Sequence, residues 1–312
     1  VQLYQFTCFP KCLTSAPRKF TKLMKPLLAH LRTLGYINAI YIDDMYLQGE
    51  TIEECAENTA TSLRLLQELG FIINQNKSVI VPSQQIVMLG FVICSRSMTV
   101  RLTEEKASNT RELCLKLLRV KQPTIRFLAQ VIGKICSSFP GVEFGQMHYR
   151  ELERLKTKSL VLARGNFDAS CSLTEAAKTE LHWWADSIET ASKQISHGKP
   201  EFFLKTDASK SGWGAHVPGN VSSTGGRWKP EEAELHINCL ELVAALFGLQ
   251  CYCQELRNVH VRIKVDNTTA VSYINAFGGT RSKSCDKVAR EIWQWCQERN
   301  IWFSACHCAG VL

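Results

Sequence analysis

The first 42 residues contain no acid. Between Val1 and Ile42 the charged residues are Lys11, Arg18, Lys19, Lys22, Lys25 and Arg32. Such a segment offers only positive charge, which suits a polyanion because Lys and Arg neutralise phosphates; a solvated basic face is the other reading of the same charges. No run of 18 or more apolar residues occurs, so no transmembrane helix and no membrane partner are expected. The start, Val1-Gln2-Leu3-Tyr4-Gln5, has neither an initiator Met nor a signal-peptide pattern and reads as the interior of a longer frame. Paired C-x-x-C sets are missing although cysteines number 14. Cys8/Cys12, Cys251/Cys253 and Cys306/Cys308 do not have zinc-site spacing. Reduced thiols, no structural metal and an intracellular place in cytoplasm or nucleus, not secretion, are therefore expected.

What is present is an ordinary globular composition, 45% apolar and 21% charged over 312 residues with a formal charge of +8, long enough for two or three domains. The chain is organised around Ile37-Asn38-Ala39-Ile40-Tyr41-Ile42-Asp43-Asp44-Met45-Tyr46-Leu47. Two β-forming runs meet at a polar break, Asp43-Asp44, and predict a tight hairpin. Adjacent carboxylates repel, and this turn has no Asn-Gly or Asp-Gly to favour it. Held rigidly, the pair can ligate a hard cation; a solvated turn is the plainer reading.

Before the hairpin, Pro10 and Pro17 punctuate a loop, and apolar residues at 20, 23, 24, 27, 28 and 31 give a helical period. Pro26 within it predicts a kink or a broken start. After the hairpin, Thr51-Ile52-Glu53-Glu54 is a capping box opening a helix that Gly70 ends. Phe71 to Val81 reads as two β-rich runs around a polar turn that carries Lys77. Ile86 to Ile93 reads as a strand pair, with Gly90 as a close-approach point or a bulge. From about 100 to 165 the pattern is helical and basic, with Thr103 and Pro123 near helix starts. Ser172-Leu173-Thr174-Glu175 is another capping box, leading to His182-Trp183-Trp184 as core packing. His197-Gly198-Lys199-Pro200 marks a boundary.

Beyond it, Phe202 to Ser209 is an apolar strand bearing Asp207, Leu235 to Leu246 is an apolar helix interrupted by Glu241, and Val259 to Val265 alternates and leads into Asp266. A buried helical acid is unfavourable unless paired or bound to a cation. Three acids on strand, helix and strand can converge on metal ions, as two-metal phosphodiester hydrolysis requires, although each acid taken singly fits a structural role. The last strand, Ile301 to Ala305, leads to His307.

Tyr41-Ile42-Asp43-Asp44 resembles the Tyr-x-Asp-Asp motif of reverse transcriptases. The stretch from Phe9 through Arg18, followed by Phe20-Thr21-Lys22, is similar to the Pro-Phe-Gly-Leu-Ser-Ser-Ala-Pro-Arg segment ahead of a Phe-Thr-Lys helix in DIRS-like (tyrosine-recombinase) retrotransposons, with Lys11 where an aromatic is expected and Cys12 where Gly is. Thr206-Asp207-Ala208-Ser209 and Val265-Asp266-Asn267-Thr268-Thr269 resemble the RNase H domain of the same elements, and His307-Cys308-Ala309-Gly310 its loop histidine.

This resemblance implies an α+β and α/β multidomain fold: a reverse transcriptase palm at 1–98, a helical thumb or connection at 99–168, a helical linker at 169–200, and an RNase H-like domain with a mixed β-sheet at 201–312. It implies an RNA-directed DNA polymerase with RNase H activity. Asp43, Asp44 and Lys77 would serve the first site, and Asp207, Glu241, Asp266 and His307 the second. Lys11, Arg18, Lys22, Tyr41 and Gly90 would contact nucleotide or nucleic acid. Two Mg2+ (or Mn2+) ions per site, held by Asp43, Asp44, Asp207, Glu241 and Asp266, are implied. So are an RNA template, a DNA primer, RNA–DNA hybrids, dNTPs and the rest of a polyprotein with its tyrosine recombinase as partners. The resemblance also places one polymerase carboxylate upstream of Val1 and one RNase H carboxylate about ten residues past His307, so both sites are expected to be incomplete here. Two other readings fit the same residues: a decayed or domesticated nucleic-acid-binding remnant, motivated by Lys11 and Cys12, and an RNase H-type nuclease with a non-catalytic palm.

Overall fold

The computed structural model describes residues 13–220 and 222–308. The expectations placed on Cys8, Lys11, Cys12 and Gly310 lie outside the described residues. The chain forms two compact units, Val1–Ser97 and Met98–Leu312. Among the described residues no helix is long and apolar enough to cross a membrane.

In the first unit α1 (Ala16–Thr33) precedes the hairpin β1 (Ile37–Tyr41) and β2 (Asp44–Gln48), then α2 (Ile52–Glu68), a 3-10 turn at Gln75–Lys77, and a second hairpin, β3 (Gln85–Met88) and β4 (Phe91–Cys94). α1 runs as one element through Pro26, which lies on its exposed face, where the carbonyl that loses its donor can turn to water. Its other face buries Met24, Leu27, Leu28 and Leu31 with Leu66 of α2, and Ile40 and Met45 of the first hairpin pack on that cluster. Thr51 caps α2 by accepting the Glu54 amide at 3.1 Å. The returning Glu54 carboxylate accepts from the Glu50 amide instead of the Thr51 amide.

Two expectations are corrected here. Phe71 to Val81 forms no strands: the segment is irregular around the 3-10 turn, with Ile72 98% exposed and Val81 73%. The segment joins neither the β1-β2 nor the β3-β4 ladder, and propensity without a cross-strand partner does not make a strand. The first hairpin turns at Ile42-Asp43, not at Asp43-Asp44: Asp44 already pairs with Tyr41 as the first residue of β2. In the second hairpin Leu89 (φ 53°) and Gly90 (φ 76°) are the two loop residues. Positive φ at both is the type I′ pattern that suits strand twist, so Gly90 is a turn glycine and not a bulge.

The second unit begins with β5 (Thr99–Leu102), α3 (Glu104–Arg119), α4 (Ile125–Ser138), α5 (Arg150–Leu162), α6 (Glu175–Ser187) and β6 (Lys193–Gln194), which pairs antiparallel with β5. α4 starts behind Thr124, one residue past Pro123, and α6 behind Thr174 rather than Ser172, each threonine accepting an amide three residues on. Trp184 is fully buried and Trp183 stacks on His148 with ring centres 3.8 Å apart.

The unit continues with β7 (Phe202–Ala208), β8 (Gly212–His216), β9 (Ser223–Arg227), α7 (Pro230–Ala233), α8 (Ile237–Tyr252), β10 (His260–Val265), α9 (Thr268–Asn275), α10 (Lys283–Gln297) and β11 (Trp302–His307). Its sheet runs β11-β10-β7-β8-β9. β10 is parallel to β7 and β11, and the β7-β8-β9 meander is antiparallel. The sheet is mixed, as expected. α8 is apolar nearly all round, which is the pattern of an enclosed helix. Leu240, Leu242, Ala244, Ala245 and Leu249 are buried with Leu204, Val261, Ile263, Trp293 and Phe303. Gly248 lets it lie close to the sheet: a Cβ there would meet Thr206 Cγ2 at 2.8 Å and Leu204 Cδ2 at 3.1 Å.

Buried ions join α5 and α6 to α10. Arg154 donates to Asp286 at 2.9 Å, Arg290 donates to Glu180 at 2.7 Å, and Glu180 also accepts the Glu151 and Leu152 amides at 3.0 Å each. Both acids are only 3% exposed, so each charge depends on these partners.

Candidate metal centre

Parallel β7 and β10 end side by side, with Lys205 opposite Lys264 two positions before the acids. Asp207 therefore stands at the end of β7 and Asp266 immediately after β10, at the same edge of the sheet. Glu241, the fifth residue of α8, reaches the same place. One carboxylate oxygen from each of Asp207, Glu241 and Asp266 lies within 4.8 Å of the others, the one cluster of this kind among the described residues.

The three carboxyls differ in environment. Asp207 and Asp266 are exposed, whereas Glu241 is 3% exposed and its Oε2 has no hydrogen-bond partner. Burial, then the neighbouring Asp266 and Asp207 charges, push the Glu241 carboxyl up to about 7, against a smaller opposing pull from the Ala208 amide. A buried, unpartnered carboxylate oxygen facing two more carboxylates is unfavourable by itself. A hard divalent cation with oxygen ligands removes both problems, because it replaces repulsion by attraction and fills the open lone pairs. The residues present fit such an ion.

The surroundings hold the acids in place. Asn267 caps α9 and donates to Asn238 Oδ1 at 2.9 Å, tying the end of β10 to the first turn of α8. Trp228 Nε1 donates to the Ser209 carbonyl at 2.7 Å, fixing the loop behind Asp207. His307 is the exposed last residue of β11, opposite Val265. His307 is a candidate read from the sequence, whereas Asn267 and Trp228 are not. Gly248 is a sequence signal for the close packing of α8 only, since Gly disfavours a helix interior by about 1 kcal/mol and here lies against Thr206 and Leu204.

Most first-unit candidates are exposed. Asp43 and Asp44 are exposed at the tip of the first hairpin, with Tyr41 56% exposed beside them. Ile42 takes φ 56°, a conformation a β-branched residue rarely adopts. Positive φ at the first loop position alone is the sign pattern of a type II′ turn, where Gly is usual. Lys77 is exposed at the end of the 3-10 turn, and Arg18 and Lys22 are exposed on α1. No third carboxylate joins Asp43 and Asp44 among the described residues.

Residues 1–93 match the family model of the reverse transcriptase (RNA-dependent DNA polymerase). No curated protein matches the chain. Among solved structures, the foamy viral protease-reverse transcriptase in complex with dsDNA is 16% identical, with a TM-score of 0.47 over 97% of this chain and 60% of that one. The same protein in complex with an RNA/DNA hybrid gives 16% identity and a TM-score of 0.49 over 96% of this chain and 39% of that one. RNase H1 from the halophilic archaeon Halobacterium salinarum NRC-1 gives 10% identity and a TM-score of 0.27 over 34% of this chain and 83% of that one. The chain thus spans 60% or less of the length of these two foamy viral chains.

Proposed function

We propose that the chain is the polymerase and RNase H region of a retrotransposon reverse transcriptase, divided as palm 1–98, helical thumb or connection 99–168, helical linker 169–200 and RNase H-like domain 201–312. The observation that carries the nuclease half is the convergence of Asp207, Glu241 and Asp266 around a buried, unpartnered carboxylate oxygen. The family match over residues 1–93 supports the polymerase half.

In this reading Asp207, Glu241 and Asp266 hold Mg2+ or Mn2+, which when bound supplies an activated water and a stabilised leaving oxygen for phosphodiester hydrolysis. Glu241 anchors from below while Asp207 and Asp266 face solvent, where an RNA–DNA hybrid can approach. His307, the exposed last residue of the adjacent strand, would meet a product phosphate. Asp43 and Asp44 are metal ligands of nucleotide addition. Lys77, Arg18, Lys22, Tyr41 and Lys11 serve the nucleotide, template and primer, and Gly90 the primer strand.

A second reading, a nuclease whose first unit only binds nucleic acid, is favoured by one observation: only the second unit assembles three carboxylates among the described residues. Asp44→Asn and Glu241→Gln separate the readings. Each is assayed for Mg2+-dependent cleavage of a labelled RNA–DNA hybrid and for primer extension. The first reading expects loss of extension alone from Asp44→Asn and loss of cleavage alone from Glu241→Gln. Cleavage without extension favours the second when it persists in a chain lengthened upstream of Val1 to carry the expected further carboxylate. Cleavage that survives Glu241→Gln rejects both.

A further inference from the structure

The hairpin that carries Asp43 and Asp44 has a poor turn. Ile42 sits at φ 56°, where Gly or Asn is the usual occupant, so the loop does little to choose between strand registers. The choice matters, because a one-residue slip moves every side chain of a strand to the opposite face. A sheet of two strands is also only marginally stable by itself. Something outside the loop must therefore fix the register of β1 and β2.

Asn58 is placed to do so. It is a fully buried polar side chain on α2. Its Nδ2 donates to the Ile37 carbonyl at 3.0 Å and to the Gln48 carbonyl at 3.0 Å. Ile37 and Gln48 are the facing residues at the open end of the hairpin, so one amide group reads both strands at once. Its Oδ1 accepts from Ser62 Oγ at 3.2 Å, one turn along α2. That bond orients the amide with its nitrogen toward the strands, and both Nδ2 hydrogens are used. A slipped register would replace at least one of the two carbonyls and leave a buried donor unpaired. Ile40 and Met45 rest on the cluster that α1 forms with Leu66 of α2. The hairpin is thus held by apolar packing near its middle, by the Arg32 guanidinium, which donates to the Asn38 carbonyl at 3.1 Å, and at its open end by the Asn58 amide, which alone among the described side chains bonds both strands.

We infer that Asn58 is a positioning residue for the Asp43–Asp44 tip: it sets the strand register that puts Asp44 opposite Tyr41. The inference rests on the polymerase reading of that tip. Its role needs two donated hydrogen bonds, which neither an apolar side chain of similar size nor a carboxylate can supply. Asn58→Leu keeps the bulk, and Asn58→Asp keeps the shape but offers at most one O–H donor, and that only when protonated.

The test uses the full chain and two readouts. Amide hydrogen exchange followed by mass spectrometry reports the hairpin, and electron paramagnetic resonance titration with Mn2+ reports the tip, as the binding lost in Asp44→Asn. Both Asn58 variants are expected to exchange Ile37 to Gln48 roughly 30-fold faster or more while α2 and the second unit keep their protection. They should also weaken Asp44-dependent Mn2+ binding roughly 10- to 100-fold, as loss of an outer supporting contact does at metal sites. In Asn58→Asp the hairpin's protection factor should rise as pH falls and the carboxyl gains its proton. Unchanged exchange in Asn58→Leu, or pH-independent full protection in Asn58→Asp, overturns the clamp. Faster exchange with undiminished Mn2+ binding overturns the positioning role. Absence of Asp44-dependent Mn2+ binding in the unchanged chain overturns the reading of Asp43 and Asp44 as metal ligands in this chain instead, and the exchange data then decide the clamp alone.

Discussion

Glu241 and Asp266 bring carboxylate oxygens within 4.8 Å of each other, although one is 3% exposed on a helix and the other is exposed at the end of a strand. The pairing concentrates negative charge where only one partner can be screened by water. Glu241 carries the consequence, and the expectations for this site follow from its position.

Without divalent metal, the second unit should lose stability as pH rises. The Glu241 carboxyl is raised from 4.5 to about 7 in the folded chain, so between those values the folded state binds more protons than the unfolded one. Stability from this group is present below the lower value and lost through the upper one, by roughly 3 kcal/mol. All seven tryptophans lie beyond residue 182, so tryptophan fluorescence follows the second unit selectively. Urea unfolding should show a lower midpoint at pH 8 than at pH 5, Glu241→Gln should flatten the difference, and added Mg2+ should restore the pH 8 value. A flat profile in the unchanged chain would reject this account.

Gly248→Val should push α8 off the sheet. The new side chain meets Thr206, Leu204 and the Ala215 Cβ, the last at 3.2 Å, and overpacking of this kind destabilises by about 1–3 kcal/mol. Because Glu241 rides on the same helix, hybrid cleavage should fall further than hybrid binding. Equal loss of both would assign Gly248 to packing alone.

Asp286→Ala should destabilise the second unit by about 3–5 kcal/mol, since it strips a partner from Arg154 and Arg290 and removes the acceptor of the Gly279 amide. Thermal unfolding followed by fluorescence measures it. Loss below 1 kcal/mol would mean that water reaches the two guanidinium groups.

Trp228→Phe removes the indole donor to Ser209 while leaving a ring to pack near Phe247. About 1 kcal/mol of stability should go with the bond. The loop behind Asp207 should exchange its amides faster than the rest of β7 and β8, and a uniform change across the sheet would contradict a local role.

Much of the fold was legible because local chemistry decides it. Thr51, Thr103 and Thr174 cap helices through their own hydroxyls, and the periodic apolar positions of α1 and the continuous ones of α8 state their burial. The failures share a cause. Phe71 to Val81 has strand-forming residues, but a strand exists only if another offers a ladder, and composition does not report that. The first turn fell one residue from its expected place because Asp43-Asp44 looked like the polar break, while the register set at Ile37 and Gln48 makes Ile42 bend instead.

The sequence by itself singled out the candidate residues: paired acids after a β-run, and an acid in an apolar helix between two acid-bearing strands. The tertiary structure alone decided how they meet. Three carboxylates from β7, α8 and the end of β10 become one site because parallel strands end together and Gly248 lets the helix lie close. Asn58 reads two strands because α2 folds back across the base of the hairpin. Such contacts join residues far apart in the chain, and their partners are set by packing of whole elements, which no local pattern encodes.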